Sequence, residues 1–319
     1  MHRIAFVFPG QGSQSVGMGK ALVLSSPAAA AIMAEADAAL GEPISRLAFD
    51  GPAEQLDLTV NAQPALVATS IAFLAALRER WVAAGIAAPE PAYCAGHSMG
   101  QYSALVAAGV ISLGDAVRLV RERGRQMQAS GRGRTGAMAA LIGLDDARMP
   151  EVIALGQPFG SLTVANRNAP GQVVISGDKA AVEAAAAGAR DLGARRAIVL
   201  PVSVAAHSSL MAEAAEGMTR VLAPIAFSDP AVALLSNADA RPIATAADAR
   251  GELIEHLTRG VDWVSAVQRM TADGVTTFVE IGPGKVLTGL IKRIAPEATA
   301  LATDDASAPG GIAVPFLDA

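Results

Sequence analysis

At 319 residues the chain can form one large domain, or a large and a small one, and its 52% hydrophobic content can furnish a full buried core. Only 4% of residues are aromatic, so that core has to be built from Ala, Val, Leu, Ile and Met. A net charge of -5 gives no ground for nucleic acid as a partner, and the single cysteine, Cys94, excludes an intrachain disulfide and fits a reducing cytoplasm.

The apolar run 4–8 after Met1-His2-Arg3 is too short for a secretory signal, and the run 65–77 is too short to span a bilayer. A soluble cytoplasmic protein with no membrane association is expected. Residues 4–8 read as a buried strand stopped by Pro9-Gly10 and followed by the glycine-rich turn "PGQGSQSVGMGK". Residues 61–84 predict a long helix broken near its start by Pro64. Residues 91–96 predict a strand, and 98–108 and 113–128 predict helices. Alternating strands and helices argue for an α/β fold with a mostly parallel sheet.

The middle of the chain has another rhythm. Residues 136–143 predict a strand, 145–155 a helix, 161–165 and 172–176 strands around the turn Asn168-Ala-Pro-Gly171, 180–192 a helix and 196–200 a strand. That β-α-β-β-α-β order is the ferredoxin-like unit. The expected organisation is therefore a catalytic core of residues 1–131 and 202–302, an inserted subdomain at 132–201 and a loosely held tail at 303–319. In the second half, 232–235 and 276–281 predict strands, and 247–257, 263–272 and 286–294 predict helices.

Chemistry is concentrated in "YCAGHSMGQYSA", where Gly96-His97-Ser98-Met99-Gly100 makes a Gly-x-Ser-x-Gly pattern between a predicted strand and a predicted helix. That context puts a serine on a tight, exposed turn at a helix N-terminus, where the Met99 N–H can stabilise a negative oxygen on an acyl carbon. A serine needs a base. Of the four histidines, His2 is terminal, His97 shares the serine's own turn and is assigned to packing, and His256 lies in a helical stretch. His207, between a predicted strand and a predicted helix in "LPVSVAAHSSLM", is the best candidate base. Asp145, Asp146, Asp178 and Asp191 lie between serine and histidine, but all fall in the predicted insert. A Ser–His pair oriented by a main-chain carbonyl would account for the missing aspartate. A second oxyanion donor belongs on the loop after the first strand, "FPGQGSQ". That loop fails G-x-G-x-x-G at its last position, and Gly19-Lys20-Ala21 lacks the Ser or Thr of a P-loop.

Seven segments, in order along the chain, closely resemble the malonyl-CoA:acyl carrier protein transacylases and the acyltransferase domains of polyketide and fatty-acid synthases. They are "FPGQGSQ", "QPAL", "GHSMGQYSAL", "RGRQMQ", "NAPGQVVISG", "VSVAAHSSLM" and "EIGPGKVLTGLI". The resemblance implies an α/β-hydrolase-like core with an inserted ferredoxin-like subdomain, Ser98 as nucleophile and His207 as base. It implies Gln11 with the Met99 N–H as oxyanion hole, Arg123 as the grip on the substrate's free carboxylate, and Gln63, Asn168 and His256 beside the substrate. A guanidinium suits a carboxylate because it can offer two parallel charge-assisted hydrogen bonds. Its neighbours Arg118, Arg121 and Arg125 read instead as a solvated helix face.

The implied reaction is malonyl transfer from malonyl-CoA to acyl carrier protein, with no metal and no cofactor. Arg132, Arg134, Arg190, Arg195, Arg196, Lys285, Lys292 and Arg293 are candidates for docking an acidic carrier, or ordinary solubilising charges. A trans-acting polyketide acyltransferase, the malonyl loader of a malonate decarboxylase and a serine acyl hydrolase remain as alternatives. The chain departs from the family at Gln101, often glutamate in relatives, and at His256, often glutamine, whose main-chain carbonyl there receives the catalytic histidine. Ala206, before the candidate base, leaves exclusion of methylmalonyl open.

Overall fold

The computed structural model describes residues 3–130, 135–202 and 204–316. His2 and two of the candidate docking residues, Arg132 and Arg134, lie outside them. Among the described residues the strands are β1 (Arg3–Phe8), β2 (Tyr93–Gly96), β3 (Gly136–Ile142), β4 (Leu162–Ala169), β5 (Gln172–Asp178), β6 (Arg196–Val199), β7 (Ala233–Leu235), β8 (Pro242–Ile243), β9 (Val261–Asp262), β10 (Val275–Glu280) and β11 (Thr299–Ala302). They make a mixed α/β fold with two sheets, ordered β11-β10-β1-β2-β7-β8 and β6-β3-β5-β4-β9.

The first sheet is parallel from β11 through β7, with only β8 antiparallel. Its central strands β1 and β10 are buried along nearly their whole length because helices cover both faces, which is why β1 reads as an unbroken apolar run from Ile4 to Phe8. The Thr59–Ala83 helix forms the spine of the larger core. By length and composition it could cross a membrane, but 83% of its most apolar window is buried inside the fold. Pro64 does not break it, contrary to expectation. A proline near a helix start removes a single ladder bond, and burial of Gln63, Pro64, Ala65 and Leu66 on all sides outweighs that loss.

In the second sheet each neighbouring pair along β6-β3-β5-β4 is antiparallel, and the helices Met149–Gly156 and Lys179–Ala189 contribute Val152 and Val182 to a cluster with Leu141, Val173 and Ile175. β9, from far along the chain, adds in parallel to β4. Three local readings change. The helix expected at 145–155 opens with the 3-10 turn Asp146–Arg148, because Pro150 suits only the first turn of the α-helix that follows. β4 runs on through Asn168 and Ala169 by irregular pairing with β5, so the turn shrinks to Pro170-Gly171. The tail expected to be loose is packed through residue 316: Thr303 and Ile312 are buried, and the buried Trp81 indole N–H donates to Pro315 O at 2.8 Å. Arg80 Nη1 likewise donates to Pro309 O at 2.8 Å. Composition could not show this, since it turns on donors of the Thr59–Ala83 helix that need distant acceptors.

Candidate active site

Ser98 sits between β2 and the helix Gly100–Ala107 with φ +51°, in the left-handed region that a non-glycine residue adopts only under constraint. This is why the expected helix start at Ser98 moves to Gly100. The two motif glycines permit the turn. A Cβ on Gly96 would lie 2.0 Å from Gly100 C, and one on Gly100 would lie 2.3 Å from Phe8 O. The loop after β1 presses on the same turn, since a Cβ on Gly10 would lie 2.5 Å from His97 O. This contact brings Gln11 to the serine turn. The Gln11 side chain is exposed and donates to Thr59 Oγ1 at 3.1 Å. The main-chain N–H groups of Gln11 and Met99 have no acceptor among the described residues. A free N–H on Met99, next in the chain to Ser98, is the kind of donor a developing oxyanion requires.

Ser98 Oγ lies 2.8 Å from His207 Nε2. On the other side of the ring, Nδ1 lies 2.6 Å from His256 O and 3.0 Å from Arg259 O. Two carbonyls can only accept, so Nδ1 carries the proton and Nε2 is the lone pair facing the serine hydroxyl. Among the described residues no aspartate occupies that position. His207 is itself held at φ +61°, with its N–H donating to Leu257 O at 3.1 Å. Burial, and then the charge of Arg123, push its pKa down to about 3. The ring is therefore neutral at pH 7 and competent to take a proton from Ser98. His256 ends the helix Ala246–Glu255, and its cap position turns its carbonyl off the helix ladder toward His207.

Asn237, which sequence reasoning missed, holds the serine turn from below. Its Oδ1 accepts the Ser98 N–H at 2.8 Å, its own N–H donates to Glu252 Oε1 at 2.7 Å, and its carbonyl accepts from Asp262 N–H at 2.7 Å. The available sign was an amide in the polar turn "SNADA" after β7. Glu252 is buried, and desolvation raises its carboxyl pKa. Gln101 is a brace: its Nε2 donates to Leu235 O at 3.0 Å and its Oε1 accepts the Gly96 N–H at 3.2 Å, tying β7 to β2. His97 packs edge-on against Trp263, and its Nε2 pairs with Asn168 Oδ1 at 2.8 Å, so the Asn168 side chain is engaged by His97. The Met99 side chain is core, 1% exposed.

Arg123 comes in on the helix Leu113–Ser130. The glycine after it lets that helix approach closely, since a Cβ on Gly124 would lie 2.7 Å from Val60 Cα. The guanidinium is 2% exposed. Its Nη1 donates to Gln63 Oε1 at 2.9 Å and its Nε donates to His256 Nε2 at 3.2 Å, while Nη2 is buried with no partner among the described residues. Among the described residues no carboxylate pairs with it. A buried cation without an anion is strongly unfavourable unless a ligand supplies the charge. Arg118 and Arg125 pair on the surface with Asp115 and Glu122 as expected of a solvated face. Arg121 does not: it is 6% exposed and closes onto Glu42 and Asn61, because its side chain is covered where the helix packs.

A serine–histidine pair beside an unpaired buried guanidinium suits transfer of an acyl group that carries its own negative charge. The model of the acyl transferase domain matches residues 5–306. The chain belongs to the acyl transferase domain family. Within this family it is similar to the malonyl CoA-acyl carrier protein transacylase of Bacillus subtilis, at 46% identity over 306 residues, covering 96% of this chain and 94% of that protein. The transacylase of the same description from Escherichia coli is also 46% identical, over 97% of this chain and 98% of that protein. Among solved acyl transferases, the acyl-carrier-protein-S-malonyltransferase of Bartonella henselae superposes with a TM-score of 0.90 at 43% identity, covering 95% of this chain and 96% of that chain.

Proposed function

We propose that this acyl transferase moves a malonyl group from malonyl-CoA to the phosphopantetheine thiol of acyl carrier protein, supplying fatty-acid synthesis in the cytoplasm. The observation that carries the reading is Arg123, buried, fixed by two neighbours and lacking an anion. A terminal malonyl carboxylate supplies that anion. An acetyl group leaves the cation unpaired, so selection operates through an unpaired buried charge rather than through size.

In the first half-reaction His207 Nε2 takes the Ser98 hydroxyl proton as Oγ attacks the thioester carbonyl. The main-chain N–H groups of Gln11 and Met99 receive the oxyanion. The carbon–sulfur bond breaks, the proton passes from His207 to the CoA thiolate, and malonyl-Ser98 remains. In the second half the carrier's thiol gives its proton to His207 and attacks the ester, and Ser98 Oγ recovers a proton on leaving. Neither step calls for a metal or a redox cofactor. Two carbonyls on Nδ1 take the place of an aspartate, and they stabilise the imidazolium by their dipoles.

The same reading gives the architecture as an α/β-hydrolase-like core of residues 1–131 and 202–302 carrying a ferredoxin-like insert at 132–201. The β-α-β-β-α-β order of β3 to β6 and their sheet order β6-β3-β5-β4 support the second half of that description. Arg190, Arg195, Arg196, Lys285, Lys292 and Arg293 are all exposed and could meet an acidic carrier, Arg293 while its Nη2 donates to Pro170 O at 2.7 Å.

Incubation with malonyl-CoA and holo-acyl carrier protein is expected to yield malonyl-carrier as the main product. Mostly free malonate would identify a serine acyl hydrolase instead. The acidity of His207 has a separate consequence. Its value near 3 lies below the ordinary 6.5, so between those limits the unfolded chain binds the extra proton. The stability contributed by the neutral buried ring is complete above about pH 6.5 and declines as pH falls toward 3. Denaturant midpoints from pH 7 to 4 should therefore fall less steeply in His207→Gln than in the parent. Identical slopes would show that His207 is not buried as the neutral form.

A further inference from the structure

A guanidinium has five N–H groups in one plane, and the direction from which it can grip a carboxylate depends on which are already engaged. In Arg123 the Nε hydrogen is taken by His256 Nε2 at 3.2 Å and one Nη1 hydrogen by Gln63 Oε1 at 2.9 Å. Gln63 is in turn oriented by its Nε2 donating to Met127 Sδ at 3.7 Å. Both Nη2 hydrogens and the second Nη1 hydrogen remain. The side edge, Nε with Nη2, is thus closed to a bidentate ligand, and what is left for a carboxylate is Nη2 together with the remaining Nη1 hydrogen.

His256 performs the closing at a visible cost. Accepting at Nε2 forces its proton onto Nδ1, and that Nδ1–H is buried with no partner among the described residues. A side chain serving only as filler would leave no orphaned donor, and the carbonyl that His256 offers to His207 needs no imidazole. The ring is fully buried, edge-on to Tyr102 at 6.0 Å and 6.2 Å from the His207 ring. Arg123 and His207 both face it and oppose a second positive charge there, Glu252 lies one turn back on its own helix, and Tyr102 presents an un-ionised phenol.

We infer that the His256 side chain is a positioning residue for Arg123: as a neutral acceptor it fixes the guanidinium so that its remaining Nη hydrogens alone meet the carboxylate of the acyl substrate. This rests on the malonyl-transfer reading above. It adds that specificity depends on an imidazole whose backbone carbonyl serves the other half of the site, so that one residue sets the tautomer of the base through its main chain and the direction of the clamp through its side chain.

The test compares His256→Leu, which keeps the carbonyl and removes the acceptor, with His256→Gln, which restores an acceptor oxygen. In His256→Leu the KM for malonyl-CoA is expected to rise roughly ten- to hundredfold, as for loss of a hydrogen bond to a charged group, with a smaller change in kcat. Labelling of Ser98 by a neutral fluorophosphonate, which needs the Ser98–His207 pair but not the clamp, should slow by less than about threefold, well short of the loss expected at the clamp. His256→Gln should return KM to near the parent value. An unchanged KM in a folded His256→Leu overturns the inference and leaves the roles of Ser98 and Arg123 intact. A fall in labelling as large as the effect on malonyl-CoA also overturns it, since His256 would then act on the base. A folded His256→Gln that fails to recover excludes the acceptor role. Absence of any malonyl adduct on the parent protein would instead refute the malonyl-transfer reading itself.

Discussion

Replacing Ser98 with alanine is expected to abolish the malonyl adduct seen by intact mass after incubation with malonyl-CoA, and to lower transfer by roughly 10⁴-fold or more, as when the nucleophile of a serine–histidine unit is removed. The change is structurally mild. Alanine keeps the Cβ and tolerates φ +51° about as well as serine does, and the Asn237 bond to the turn is made by the main-chain N–H, which survives. The hydrogen bond lost is the 2.8 Å contact with His207. Activity should therefore vanish while the melting temperature and far-ultraviolet circular dichroism stay close to the parent. An adduct that persists on Ser98→Ala would remove Ser98 from the mechanism, because no other nucleophile in the described site is aligned with a base.

Arg123→Ala should separate two substrates. With malonyl-CoA, kcat/KM is expected to fall roughly 10²- to 10³-fold, the scale of losing one partner of a desolvated charge pair. With acetyl-CoA the loss should be small or nil. The acetyl group has no carboxylate to hold, and the variant no longer buries an unneutralised cation beside it. A folding defect cannot produce the difference, because both substrates report on the same folded protein. Steady-state rates with the two acyl-CoAs decide the matter, and equal losses would argue against a carboxylate clamp. A second effect follows from the electrostatics. Arg123 is, after burial, the next largest cause of the low His207 pKa, so its removal should raise that value and move the acidic limb of the pH profile upward.

The serine turn was legible locally. Its requirements are a strand, two glycines where a Cβ would strike Gly100 and Phe8, and a following helix, all within a dozen residues of sequence. Arg123 was legible only through the family resemblance of "RGRQMQ"; the structure adds that Gly124 lets the helix approach Val60. The family was legible from seven short segments in order, because each serves a backbone or charge requirement that few residues meet. Pro64 misled because the penalty for a proline is local while the burial that offsets it is not.

The chain order of residues by itself determined the nucleophile turn and the candidate base, which depend on residue type and near neighbours, and it singled out Arg123 only through the family resemblance. Tertiary structure alone decided what completes them. The serine meets His207 across 109 positions and Asn237 across 139, and Arg123 meets His256 across 133. Hydrogen bonds over such separations leave no periodic trace in sequence. Whether a guanidinium is solvated, as for Arg118, closed onto glutamate, as for Arg121, or left without an anion, as for Arg123, depends on what the folded helix faces and not on the three similar arginines themselves.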